Sequence, residues 1–449
     1  MEVEAGVAHA ERCAAVVATL AGHGERPIGL AKKTSNLFRD RHEAPKHRLD
    51  LSAFCHVLAI DATGGWVDVE GCTTYEDLVA ATLPLGCMPA VVPQLKTITV
   101  GGAAAGVGIE ATSFREGLVH HTILELEVLL ADGEIVLCTP DNEHRDLFEG
   151  FANSYGTLGY ALRVRLRTRQ VRPFVEVRHA RSSDPVAFFD RLADACADDD
   201  NDFVDGVAFG PQSMVLSRGR IVDAAPWTSD YGFESIYYRS LTEREIDYLR
   251  TEDYLWRWDA DWFWCSKNFG AQRPWLRRLY GRGRLNSRTW TRLMRWNARW
   301  GVTRRWARMR GVHPESVIQD VDIPFESAAE FLAFLRREIG IFPIWICPLR
   351  APARPAAPLY PLAAGDLYVN FGFWDVIESR APEPPGHRNR LIEREVVRLG
   401  GIKSLYSESY FARDEFDAAY GMAAYSALKT RYDPRGRLPG LYEKCVRGA

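Results

Sequence analysis

Residues 97–117 read TITVGGAAAGVGIEATSFREG. Five glycines and four alanines fall in this stretch, directly after the apolar, proline-punctuated run CMPAVVPQLK (87–96). Glycine loses more conformational freedom on folding than any other residue. It is kept where φ is positive or where something must approach the backbone closely. Two explanations fit: a tight turn buried in a core, or a phosphate cradled by backbone N–H groups. A nicotinamide Rossmann site fits poorly. Its fingerprint needs G-x-G-x-x-G after a strand and opening a helix, with an acidic residue about 20 positions on. Here GVGIEA lacks the third glycine, and EATSFREGLVHH does not begin an amphipathic helix.

On either side, short strand and helix patterns alternate. HVLAIDATGGWVDVEG (56–71) predicts two strands around a Gly-Gly turn. TTYEDLVAATLPLG (73–86) predicts a helix with Thr74 as N-cap. TILELEVLLADGEIVLCTP (122–140) is a β-hairpin with Asp132-Gly133 at its turn. DLFEGFANSYGTLGYALRVRLRTR (146–169) predicts a short helix, a glycine-rich turn and an alternating strand. The pattern changes near Arg169–Pro173, where a domain boundary is expected. Beyond it lie a helix with an acidic end (184–200), a hairpin (203–221), a strand–helix–strand unit (316–350) and a strand at 367–375. The class is α+β with mixed sheets. The expected domains are 1–172, 173–395 and a closing segment 396–449.

The 449 residues allow two or three domains. A net charge of −3 gives no ground for a nucleic-acid partner. Nine dispersed cysteines without a C-x-x-C pair suit a reducing compartment. No His/Asp/Glu group has metal spacing, so no metal is expected. The start is too weakly apolar for a signal peptide, and no run is long enough to span a bilayer. A cytoplasmic protein is expected, with peripheral attachment to the inner membrane face.

VVPQLKTITVGGAAAGVGIEATSFREG, LLADGEIVLCTP and SYGTLGY together resemble the two-subdomain FAD-binding fold of the vanillyl-alcohol oxidase/p-cresol methylhydroxylase superfamily, with a mixed α/β cap domain. VIQDVDIP, FPIWICPL, LYSESYFARDEF and PGLYEKC extend the resemblance to its delta-24 sterol reductase branch, over about residues 32–445. The resemblance implies that Thr99, Val100, Gly101 and Gly102 line the FAD diphosphate. Gly106, Gly108, Ile109, Glu110 and Ser113 would follow the chain toward the flavin ring. Lys33, Thr34, Ser35 and Asn36 in AKKTSNLF would form the other pyrophosphate loop, and Gly156, Thr157 and Gly159 would meet the cofactor. AKKTSNLF holds no histidine, so the FAD is expected to be non-covalent.

The branch implies reduction of an isolated carbon–carbon double bond, with NADPH as electron source. Such a bond is unpolarised and needs an acid in a dry pocket. Glu110 is one candidate acid, or alternatively an acid that satisfies backbone N–H groups. Tyr406, Glu408 and Tyr410 in LYSESYF share one face if that segment is a strand; the alternative is a solvent-facing edge. Trp345 and Cys347 suit the core, and His120 and His121 suit structural roles.

Residues 273–310 hold thirteen arginines, five tryptophans and no acidic residue. If 287–301 is helical, Arg288, Arg292, Arg295 and Arg299 form one stripe and Leu293, Trp296 and Trp300 the next. This pairing suits an anionic membrane surface. Alternatively, the arginines pair with acids elsewhere and the tryptophans line a substrate pocket. Single-stranded nucleic acid could use the same residue types but sits poorly beside a flavin domain. The basic segment, within the tryptophan-rich region 255–310, and a resemblance of DYLWRWDADWFWCS to bacterial methylene fatty-acyl reductases favour a phospholipid acyl substrate. There a lipid methyltransferase would supply a mid-chain methylene group, which is then reduced to a methyl branch. A delta-24 sterol side-chain reductase and an FAD-dependent sugar or alcohol oxidase are the alternatives.

Overall fold

The computed structural model describes residues 2–22, 24–31, 47–354 and 356–448. Its first half is built on a six-stranded sheet. In chain order the strands are β1 (Ile28–Ala31), β2 (His47–Asp50), β3 (Val57–Asp61), β4 (Trp66–Glu70), β5 (Cys87–Pro89), β6 (Ile123–Leu129), β7 (Ile135–Cys138) and β8 (Tyr160–Gln170). β1 and β2 form a separate parallel pair. The other six follow the order β3-β4-β8-β6-β7, with β5 also on β8. Both expected hairpins form: β3 and β4 turn through Gly64-Gly65, and Gly133 (φ 100°) makes the turn between β6 and β7. Thr74 caps the helix Tyr75–Thr82, accepting from the Asp77 N–H.

The helix Glu2–Ala21 packs on this sheet through a buried polar knot. His9 hydrogen-bonds Glu70 at 2.7 Å and Glu127 at 2.8 Å, and Cys13 lies 3.5 Å from the His9 ring. Burial alone would lower the His9 pKa. The bonds to Cys13, Glu127 and Glu70 outweigh it and raise the value to about 11. His9, Cys13 and Glu127 bring metal-ligand types together, which spacing along the chain did not suggest. Their donor atoms already satisfy one another. Arg12 and Arg163 also stand beside the carboxylates, so the knot is read as an anchor for the helix.

The second sheet begins four residues after β8 ends. Its strands are β9 (Phe174–Ser182), β10 (Phe203–Gly210), β11 (Ser213–Val222), β12 (Ile246–Arg250), β13 (His313–Pro324), β14 (Ile344–Arg350), β15 (Leu367–Ser379) and β16 (Ile402–Lys403). Their order is β12-β9-β11-β10-β14-β15-β13-β16. Alternation along each strand decides which side is which. Ile344, Ile346, Val369, Phe371, Phe373, Val321 and Ile323 face a core shared with the helices Pro185–Ala197, Ala328–Phe334 and His387–Arg398. Trp345, Cys347, Leu349, Tyr368 and Trp374 face the opposite way, into the core that also contains the first sheet. The two halves are therefore joined across one apolar seam.

Candidate active site

The stretch TITVGG opens a six-residue helix, Val100–Ala105, with Thr99 as N-cap. Three N–H groups at its start already have acceptors within the chain. The Val100 N–H donates to Thr73 O and the Gly101 N–H to Gly71 O, both within 2.9 Å. The Gly102 N–H donates to Thr99 Oγ1 at 3.3 Å. A Cβ on Gly101 would lie 2.8 Å from the Gly71 carbonyl oxygen. What comes close to Gly101 is thus the chain's own backbone. Thr99 and Val100 are buried, while Gly102 is exposed.

Just beyond the helix the picture changes. Ala105, Val107, Gly108 and Ile109 are half-buried. The N–H groups of Val107, Gly108 and Ile109 meet no acceptor among the described residues. A loop from Asn153 to Gly159 lies against this run: Asn153 N–H donates to Gly106 O, and Tyr155 N–H to Ala105 O. Four of its residues have positive φ: Asn153 (61°), Tyr155 (50°), Gly156 (71°) and Gly159 (147°). Non-glycine residues in that region carry strain that gathers at functional sites. Asn153 Oδ1 and Ser154 Oγ are buried without a partner among the described residues. Free backbone donors at 107–109 and the orphaned oxygens of Asn153 and Ser154 fit an FAD lying along 105–109, while the glycines are packed by the chain itself: a Cβ on Gly108 would lie 2.7 Å from Val119 and one on Gly106 3.0 Å from Gly102 O. Thr157 Oγ1 donates to Ser154 O, and Ser113 Oγ accepts from the Glu110 N–H, so both hydroxyls brace their own loops. Lys33, Thr34, Ser35 and Asn36 lie outside the described residues.

Glu110 is buried at the seam. One oxygen accepts from Arg257 at 2.8 Å, and the same Arg257 nitrogen reaches Asp205 at 3.0 Å. Trp345 Nε1 also donates to Asp205 at 3.1 Å, and the Cys347 thiol to Glu110 O at 3.3 Å. Burial pushes the Glu110 carboxyl up, to about 7, against the pull of Arg257. Trp345 and Cys347 sit in the core as expected.

The segment LYSESYF does not join a strand ladder; β16 ends at Lys403, and Leu405-Tyr406 is a turn. The three residues expected on one face therefore separate. The Tyr410 phenol donates to Glu408 at 2.8 Å. Tyr406 turns elsewhere: its hydroxyl accepts from Trp374 Nε1 at 2.9 Å and hydrogen-bonds Asp320.

Asp320 and its neighbours were not singled out in the sequence. Asp320 and Asp322 sit two apart on β13, opposite Gly372 and Asn370 on β15. Asp322 accepts from Tyr360 and Asn370, both at 2.7 Å. Burial raises Asp320 to about 7, with Tyr406 pulling it down and Asp322 adding to the rise. Burial raises Asp322 to about 6. Tyr406, half-buried beside Asp320, is raised well above the usual phenol range by desolvation. Ser404 connects this cluster to the cofactor side: its N–H donates to Asp320 O at 3.0 Å, and its hydroxyl lies 3.3 Å from the Tyr155 hydroxyl. An aromatic wall backs the cluster. Phe263 (φ 61°) packs 4.2 Å from Trp374 and 4.9 Å from Trp258.

In the basic segment, 287–300 is a helix as expected, followed by Val302–Met309. Four of its arginines do pair with acids elsewhere: Arg277 with Asp261, Arg282 with Asp230, Arg288 with Glu76 and Arg310 with Glu378. Trp290 is buried, but Trp296 and Trp300 are exposed and line no pocket wall of the seam. The side chain of Arg299 lies outside the described residues. His120 is buried, and burial holds its pKa well below the ordinary value, which keeps it neutral.

Residues 3–139 match the family model of an FAD binding domain. The chain is 26% identical to the human Delta(24)-sterol reductase, over 88% of this chain and 76% of that one. It is 26% identical to the enzyme of that name from Pisum sativum, over 91% and 78%. A rice cytokinin dehydrogenase 2 is 31% identical over 24% of this chain and 19% of its own. The protein therefore carries an FAD-binding domain in a mixed α/β fold. It is an FAD-linked oxidoreductase related to Delta(24)-sterol reductases. No helix among the described residues is long and apolar enough to cross a membrane.

Proposed function

We propose that the protein reduces an isolated carbon–carbon double bond in a lipid, namely a mid-chain methylene group on a phospholipid acyl chain, with NADPH as electron donor. The observation that carries the reading is the Asp320–Tyr406 pair. An unpolarised alkene accepts hydride only as it gains a proton, and a branched alkene then places positive charge on a tertiary carbon. The group that protonates it must hold its proton at neutral pH in a dry site. Tyr406, whose phenol is raised by burial well above its usual range, keeps its proton there, and Asp320, raised to about 7, can hold the proton that replaces it.

FAD, when bound along 105–109, supplies the hydride. The protein's own residues do the rest. Tyr406 gives its phenolic proton to the alkene and takes the proton held by Asp320. Trp374 Nε1 donates to the Tyr406 oxygen and steadies it while charge develops there. The aromatic wall of Phe263, Trp258 and Trp374 keeps water away. Glu110, clamped by Arg257 together with Asp205, fixes the seam between the two halves.

The test uses purified, FAD-loaded protein, NADPH and phospholipid vesicles carrying a mid-chain methylene acyl group. Mass spectrometry should find a gain of two hydrogens. Bleaching of the flavin by NADPH without that gain moves the substrate to a sterol side chain. Bleaching only by an alcohol makes the protein an oxidase and overturns the reading.

A further inference from the structure

The helices Ser287–Trp300 and Val302–Met309 have an anchored inner face and an outer face whose large apolar side chains the described residues leave exposed. Inside, Trp290 is fully buried, stacks 5.3 Å from Phe269 and donates its Nε1 to Ala260 O at 2.9 Å. Ala307 is buried on the second helix. Outside, Trp296 and Trp300 lie one turn apart at 55% and 52% exposure. Gly301 (φ 61°) then turns the chain. Trp306 and Met309 follow at 56% and 78%. Among the described residues, five tryptophans are exposed, and four of them fall within 273–310.

A surface helix normally turns charge outward and apolar groups inward. Here large apolar groups point outward on both helices, and the only charges interleaved with them are positive. The segment carries thirteen of the 56 basic residues and none of the 59 acidic ones. Indole belongs at the boundary between headgroups and acyl chains, and guanidinium beside it meets phosphate. Glu76 and Glu378 pair with Arg288 and Arg310 near the ends of the two helices, and the helices themselves contribute only basic charges.

We infer that these two helices form a docking surface for an anionic phospholipid bilayer, with Trp296, Trp300 and Trp306 entering the interface. This deepens the function proposed above by naming where the lipid comes from. Its binding test, however, is independent of turnover.

The FAD-loaded protein is sedimented with phosphatidylcholine vesicles, with and without phosphatidylglycerol. Binding should be about tenfold tighter or more with the anionic lipid. It should weaken as salt rises from about 0.1 M to about 0.5 M. A variant with Trp296, Trp300 and Trp306 all changed to Ser should lose about tenfold or more in affinity. Changing the exposed Trp227 to Ser should leave binding intact. Hydrogen exchange of residues 287–309 should slow on the vesicles. Equal binding to neutral vesicles, undiminished binding of the triple variant, or no sedimentation overturns the inference. So does tighter binding to single-stranded oligonucleotide, or a dimer that the triple variant dissolves. Turnover of the same lipid dispersed in detergent separates the two proposals. A triple variant that fails on vesicles but works in detergent supports docking. A wild type inactive in both sinks the reaction and leaves the docking result standing.

Discussion

Asp320→Asn separates what this side chain does for the reaction from what it costs the fold. Burial raises its carboxyl from 3.8 to about 7. Below the lower value it is protonated in both folded and unfolded chains, and stability does not depend on it. As pH rises, the unfolded chain releases the proton first and the folded chain keeps it, so the folded state loses stability until about pH 7. A shift of this size corresponds to about 4 kcal/mol for a fully desolvated group. The side chain is half-buried, and solvent screening reduces the expected effect to about 2–3 kcal/mol. Asparagine has nearly the same shape, can still hydrogen-bond the Tyr406 hydroxyl and never ionises. The variant should therefore be more stable than the parent by about 2–3 kcal/mol at about pH 8, and by about a third of that at about pH 5. Urea unfolding followed by circular dichroism should show a midpoint about 1 M higher at the upper pH. Turnover should fall by about a hundredfold or more, because the proton reserve is gone. A midpoint shift that is the same at both pH values would refute the claim that folded Asp320 holds its proton.

Tyr406→Phe keeps the ring but removes the hydroxyl between Trp374 and Asp320; steady-state assays should show kcat down about a hundredfold with KM little changed. Arg257→Leu strands Glu110 and Asp205 together without a cation and should destabilise the protein by about 3–5 kcal/mol. Thermal melts, and the fraction of protein purified with flavin, report it. Gly101→Ala sets a methyl against the Gly71 carbonyl and should cost about 1–3 kcal/mol. The same melts, with flavin content read from absorbance, test whether the loss falls on the cofactor half.

What the sequence disclosed and what it withheld follow from the distance between partners. The hairpins, the Thr74 cap and the helix at 287–300 rest on residues a few positions apart, so local spacing carries them. The helix Val100–Ala105 depends on Gly71 and Thr73, almost thirty positions upstream, and glycine argues against helix locally. Arg257 joins Glu110 and Asp205 from 147 and 52 positions away, and no local pattern signals such a partner. Asp320 and Asp322 did leave a trace: two acids at strand spacing inside VIQDVDIP, where a buried strand should be apolar. Tyr406 stood out as a residue, but its partner did not. The strand drawn through it fails because Lys403 ends the ladder and is held by Glu393 at 2.8 Å.

The closing segment has a consequence for the order in which the protein is made. Lys429 donates to Thr157 O at 2.8 Å and Lys444 to Tyr155 O at 2.5 Å, so the strained loop beside Gly106 is held by residues translated last. Tyr406 also emerges after every group it serves. A nascent chain that has just released β15 has every strand except β16, and Asp320, but neither the lysines nor the phenol. The loop beside Gly106 therefore reaches its final hydrogen bonding only once the last residues of the chain are in place.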